Sequence, residues 1–217
     1  MTLEVTKKIQ HMIVTMRLKP GEVFREKDIC AQLKVGRTPV REAVLILKTR
    51  GLLNSSPNGL TYVTEITLKS VKDLFVTYLM IEKQILIQAI QRMTPEAYDL
   101  ITEAFELVEK SIAEDKPWDV VVNNHHFHTV IASVTDNELL ISIYEMILTR
   151  AERISYLSTN EDIIAGVDHK KHLSLVSDDH KEIMKVLKGG TPQDAEDIAE
   201  KHIGRLHQRV LNYLQSF

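Results

Sequence analysis

All but one of the nine histidines in this 217-residue chain fall after residue 120. Three of them have the spacing of metal ligands. Asn124 and His128 are four residues apart, so on a helix their side chains stack on one face. His180 and His202 stand about 10 and 12 residues either side of the Gly189-Gly190 pair. If the flanking segments form an antiparallel helical pair, the two imidazoles come to nearly the same height. Three imidazoles and one amide oxygen converging from three helices suit a divalent transition metal, with zinc or nickel favoured by the nitrogen ligands. The plainer alternative is a polar cavity that uses the same histidines to hold an organic ligand directly. His11, His126, His169, His172 and His207 are read as surface or internally satisfied groups, and His125 lies beside the Asn124–His128 face.

A second constellation lies near the N-terminus. Gly36-Arg37-Thr38-Pro39-Val40-Arg41-Glu42-Ala43 reads as the start of a helix, with Pro39 in the first turn, where its missing N–H costs nothing. Arg37 and Arg41 are four apart and share a face, where both can meet phosphates or a guanine edge.

The elements that must position these groups fall into two sets. Residues 3–17 carry apolar side chains at loose helical spacing, ended by the turn Lys19-Pro20-Gly21. A short helix over 26–33, a turn at Val35-Gly36 and a third helix ending before Gly51 follow. Leu52–Ser55 and Leu60–Thr64 flank Ser56-Pro57-Asn58-Gly59 as a hairpin. Three helices and a hairpin in about 65 residues have the layout of a winged helix. Beyond Thr67 the sequence reads as helix at 67–92, 94–114, 116–134, 137–157, 161–188 and 192–216. Thr94-Pro95 and Thr191-Pro192 each place a capping residue before a proline at the first helical position. The expected fold is mainly α: a winged helix-turn-helix domain over 1–66, then an antiparallel all-α six-helix bundle over 67–217.

Charge follows the same division. Residues 1–63 hold 11 Lys and Arg against 5 Asp and Glu, whereas the rest hold 16 against 25. Only the first part is suited to approach a polyanion. The single cysteine, Cys30, excludes an intrachain disulfide and fits a reducing compartment. With no signal-like start and no long apolar stretch, the expected location is the cytoplasm, without membrane contact.

At the helix-turn-helix the sequence resembles the GntR family of bacterial regulators. The matching residues are Pro20-Gly21-Glu22, Glu26, Ile29, Leu33, Val35, Arg37 to Ala43, Leu47 and Gly51-Leu52. The resemblance implies DNA contacts at Lys27, Arg37, Thr38 and Arg41 and the wing tip at Asn58 and Gly59. One recognition helix per chain reads only a few base pairs, so a homodimer on an inverted-repeat operator is expected. Two positions depart from the family pattern. Gly36 stands where serine or threonine is usual, and Pro57-Asn58-Gly59-Leu60 lacks the usual wing arginine.

Residues 67–217 resemble the FCD ligand-binding domain of the FadR-type branch, in its six-helix, VanR-like form. The motif residues are Asn124, Phe127-His128, Asn137, His180 and His202, with Asn124 in place of the usual aspartate. That substitution removes one negative charge from the implied metal site. The resemblance also implies a small-molecule effector, expected to be a carboxylate. Relatives often carry an arginine one turn before the glutamate matching Glu82; here that position is Tyr78, and Arg150 and Arg153 are the candidate replacements. The expected function is a repressor released by its effector. The same fold could also serve an activator, and a metal-dependent enzyme is disfavoured because the sequence offers no partnered nucleophile or general base.

Overall fold

The computed structural model describes residues 1–159 and 169–215. Its N-terminal part begins with α1 (Thr2–Val14), α2 (Glu26–Leu33) and α3 (Arg37–Thr49), followed by strands β1 (Leu53–Ser55) and β2 (Thr61–Val63). Ile9 and Ile13 of α1, Val40, Ala43 and Leu47 of α3, and Leu52, Leu53 and Val63 of the hairpin close one apolar core. Helix α1 stops three residues short of the expected end. Met16 takes a left-handed φ of 60°, and the Leu18 amide reaches back to the Met12 carbonyl at 3.0 Å. This folds Leu18 into the core, which a helix continued to Arg17 could not do.

The turn between α2 and α3 forms at Lys34, one residue earlier than expected, in the left-handed conformation (φ 54°). The Val35 amide bonds the Cys30 carbonyl at 3.1 Å, closing the α2 end. Gly36 then caps α3 without a side-chain bond, at φ −70° and with open space where a Cβ would stand. The backbone therefore does not require glycine there. At the far end, Gly51 has φ 74° and the Leu52 amide bonds the Leu47 carbonyl at 2.9 Å, a Schellman closure.

Strands β1 and β2 pair antiparallel, Leu53 opposite Val63 and Ser55 opposite Thr61. The sequence did not reveal a third extended segment: Val23 bridges Tyr62, and the Phe24 amide bonds the Thr61 carbonyl at 2.8 Å. Between the strands, Gly59 adopts φ 82° and its amide bonds the Ser56 carbonyl at 2.9 Å, closing the tip.

The chain divides by its contacts into Met1–Thr67 and Leu68–Phe217. The second unit is helical in its described residues: α4 (Leu68–Gln91), α5 (Pro95–Ala113), α6 (Pro117–Ser133), α7 (Glu138–Thr159), α8 (His169–Gly189) and α9 (Pro192–Gln215). The expected helix from 161 is described only from His169; its first eight positions lie outside the described residues. Helix α5 packs on α6, α6 on α7, α4 on α9 and on α7, and α8 on α9. None of the described helices is long and apolar enough to cross a membrane.

Three helix starts follow the expected chemistry. Thr94 accepts from the Ala97 amide at 3.1 Å, and Asn137 from the Leu140 amide at 3.1 Å. Thr191 and Asp194 form a reciprocal capping box, with Thr191 N to Asp194 Oδ2 at 2.8 Å and Asp194 N to Thr191 Oγ1 at 3.2 Å. The corner before it is tight. The Gly190 amide bonds the Val186 carbonyl at 2.7 Å, and a Cβ on Gly190 would lie 2.8 Å from that same oxygen.

Candidate functional site

Helix α6 presents His128, α8 presents His180 and α9 presents His202 to one buried point. Ring centroids lie 5.5 Å apart for His128–His180, 5.2 Å for His128–His202 and 5.4 Å for His180–His202. One nitrogen from each ring falls within 4.8 Å of the others, so modest side-chain rotation suffices to bring them onto an ion with bonds of about 2.0–2.1 Å. The α8–α9 pairing expected from the Gly189-Gly190 corner brings His180 and His202 level.

The ring nitrogens fit a metal. His180 is 0% exposed, yet neither of its nitrogens finds a hydrogen-bond partner among the described residues, and the same holds for His128 Nε2. A buried polar atom without a partner is costly, so nitrogens in this state form where something else satisfies them. Burial, aided by the neighbouring His202 and His128, holds the His180 imidazole well below its ordinary range. It therefore stays in the neutral, ligand-competent form.

The other edge of His128 is fixed by partners. Its Nδ1 faces Glu82 Oε1 at 3.4 Å and the Tyr144 hydroxyl at 3.2 Å, and Tyr144 in turn donates to Glu82. Burial pushes the Glu82 carboxyl up, but His128, His202 and Tyr144 outweigh it and hold the group below the usual range. Burial and Glu82 push the Tyr144 phenol well above its ordinary value, so it remains a donor. A carboxylate on Nδ1 fixes the tautomer and turns the Nε2 lone pair inward, the usual support for a metal-bound imidazole.

On the opposite side, His202 Nδ1 faces Asp179 Oδ2 at 3.8 Å, and Arg205 donates to the other Asp179 oxygen. Two adjacent aspartates, Asp178 and Asp179, stand just before His180 on α8. Asp178 is exposed, and Asp179 is the buried one.

Asn124 is half-buried one turn before His128 and lines a cavity of about 40 Å³ together with His202. Tyr78, His125, Glu152, Ser155 and Arg209 contribute polar groups to its wall. Such a volume holds a few waters at most, so an organic ligand must open it. His125 is tied to Glu152, Nδ1 to Oε1 at 2.7 Å.

The expected effector residues separate. Tyr78 lines the cavity. Arg150 does not: it is exposed, with its guanidinium against Met146 Sδ at 3.9 Å. Arg153 is buried, and burial lowers it to about 10, but it is absent from the cavity wall. The guanidinium at the wall belongs to Arg209, which burial also lowers to about 10. Its spacing was a usable signal, because His202, Leu206 and Arg209 follow an i, i+4, i+7 pattern on one face. Glu82 was also legible in principle, as the one carboxylate in the apolar stripe Val71, Phe75, Tyr78, Ile85, Leu86 of α4.

Of the remaining histidines, His126 is exposed, His11 is partly buried and His207 stacks on Phe75 at 4.7 Å. The side chains of His169 and His172 lie outside the described residues.

In the N-terminal unit, Lys27, Arg37, Thr38 and Arg41 are all exposed at the α2 and α3 starts, and Asn58 and Gly59 are exposed at the hairpin tip. Asn58 is bonded there by the Ser56 hydroxyl.

Comparison with known proteins gives this arrangement its context. Residues 1–63 match the pattern of bacterial regulatory proteins of the gntR family, and residues 73–205 match the FCD domain. The chain belongs to the GntR family of FCD-domain regulators. This regulator is 28% identical over 166 residues to the Nta operon transcriptional regulator of Aminobacter aminovorans, covering 76% of this chain and 77% of the relative. It is 22% identical over 188 residues to the HTH-type transcriptional repressor RspR of Escherichia coli, covering 87% and 82%. Among solved structures, E. coli McbR/YncC superposes with a TM-score of 0.75 at 21% identity, over 95% of this chain and 97% of that one, which shows a shared fold. The regulator is thus a DNA-binding transcription factor with an effector domain, and the enzyme alternative falls away.

Proposed function

We propose that this regulator is a repressor that leaves its operator when a small carboxylate binds beside a metal held by His128, His180 and His202. The observation that carries the reading is the set of buried imidazole nitrogens of His128, His180 and His202 that find no hydrogen-bond partner among the described residues, with His202 also lining the cavity beside Asn124. Zinc or nickel fits three neutral nitrogens better than magnesium does. Such a metal supplies Lewis acidity toward a carboxylate oxygen. Asn124, Tyr78 and Arg209 are the wall groups that would hold the rest of the ligand. Repression is supported by relatives named as repressors, RspR of E. coli and NanR of Cronobacter sakazakii. The test is selection of bound DNA from a random pool, then release of that DNA by small acids with and without zinc or nickel. An acid series that releases nothing in either condition overturns the reading.

Asn124 gives the site a neutral oxygen where a charged one would bind a cation more strongly. Asn124→Asp is expected to tighten zinc or nickel binding by roughly tenfold or more, read by competition with a chromophoric chelator. Equal or weaker affinity removes Asn124 from the ligand set.

DNA contact is assigned to Lys27, Arg37, Thr38 and Arg41, with Asn58 and Gly59 at the wing. One recognition helix reads only a few base pairs, so useful specificity requires a symmetric partner and an inverted repeat. Sedimentation with the selected duplex is expected to show two chains per site. A stable complex of one chain with one duplex contradicts this.

A further inference from the structure

Arg37 and Arg41 share a face of α3, yet their surroundings differ. Arg41 Nε donates to Glu26 Oε2 at 3.1 Å, across the turn from the first residue of α2. Arg37 makes no such ion pair among the described residues. Both partners of the Glu26–Arg41 pair are well exposed, with side chains 37% and 65% accessible. An exposed pair of this kind contributes little to stability. Its consequence is geometric and electrostatic.

We propose that Glu26 is a positioning residue that makes Arg41 a base reader rather than a phosphate anchor. Holding Nε leaves the two terminal nitrogens as the free edge of the guanidinium, the fork that matches the O6 and N7 acceptors of guanine end-on. The carboxylate also weakens the attraction between Arg41 and a phosphate, because a negative charge sits about 3 Å from the guanidinium. Arg37 keeps its full charge for the backbone. The pair thus divides two like residues between two tasks. This inference rests on Arg41 meeting DNA, as proposed above.

The experiment uses the full chain and a duplex recovered by selection from a random pool. Wild type, Arg41→Ala, Glu26→Gln and the double variant are titrated against that duplex, each of its single base-pair variants and random DNA of equal length. Arg41→Ala is expected to flatten discrimination at one base pair per half-site. Glu26→Gln is expected to lose at least about fivefold of the discrimination at that same pair and to bind random DNA as well as wild type or better. The double variant is expected to be no worse there than Arg41→Ala alone. Glu26→Asp, one methylene shorter, serves as a second probe and is expected to fall between wild type and Glu26→Gln. If Glu26→Gln discriminates like wild type while Arg41→Ala does not, the positioning role is overturned and the Arg41 reading stands. A loss spread evenly over all sequences also overturns it, because a structural or general electrostatic role would produce that result. If Arg41→Ala itself discriminates like wild type, Arg41 reads no base and both readings fall together.

Discussion

Protein purified without a histidine tag is expected to carry about one zinc or nickel per chain, and His180→Ala to carry none. The expectation follows from where His180 sits. It is enclosed, both of its nitrogens lack partners among the described residues, and burial keeps it neutral. Removing one of three imidazoles leaves a two-nitrogen site that closes poorly on a tetrahedral ion, so affinity should fall by at least about a hundredfold. Elemental analysis gives the stoichiometry. Added zinc should raise the melting temperature of wild type, because an ion that binds only the folded state stabilises it by mass action, and should leave His180→Ala unmoved. Circular dichroism separates loss of metal from loss of fold. Wild-type protein that arrives metal-free and refuses zinc and nickel at about pH 7.5, where ordinary imidazoles are neutral, would sink the assignment.

Substitution of the recognition-helix arginines should be nearly as damaging. Arg37→Ala and Arg41→Ala are each expected to weaken binding to the selected duplex while leaving the melting curve in place, since both side chains are exposed and lie outside the core of α1, α3 and the hairpin. A bidentate contact to guanine is worth about 1–3 kcal/mol, concentrated at one base pair. A phosphate contact instead weakens all sequences alike and reduces the salt dependence by about one counterion. Fluorescence anisotropy at several salt concentrations distinguishes the two patterns. Unchanged affinity for selected and random DNA in both variants would remove α3 from the interface.

Much of this architecture was readable from local chemistry. Prolines behind Thr94 and Thr191 mark helix starts because a capping oxygen and a fixed φ act within a few residues. Gly51 marks the end of α3 for an equally local reason. The levels of His180 and His202 followed from counting residues either side of a short corner. Features set by packing were less accessible. The early end of α1 depends on Leu18 finding room in the core. The Val23–Tyr62 bridge depends on chain segments about 40 residues apart in sequence. The choice of Asp179 over Asp178 depends on which side of α8 meets α9. Arg150 could have been discounted on a helical wheel, because it lies about 200° around α7 from Leu148, which lines the cavity.

The α8–α9 corner sets the alignment of the two helices. Because a Cβ at Gly190 would press on the Val186 carbonyl, any side chain there must prise the corner open. One residue of slippage along a helix is about 1.5 Å of travel and 100° of rotation. Either is enough to carry one imidazole past the other. The sensor's chemistry is therefore calibrated at a position that touches no ligand. Surface loops can usually lengthen or shorten over time with little consequence, but the length of this corner cannot drift without detuning the histidines some three helical turns away on either arm.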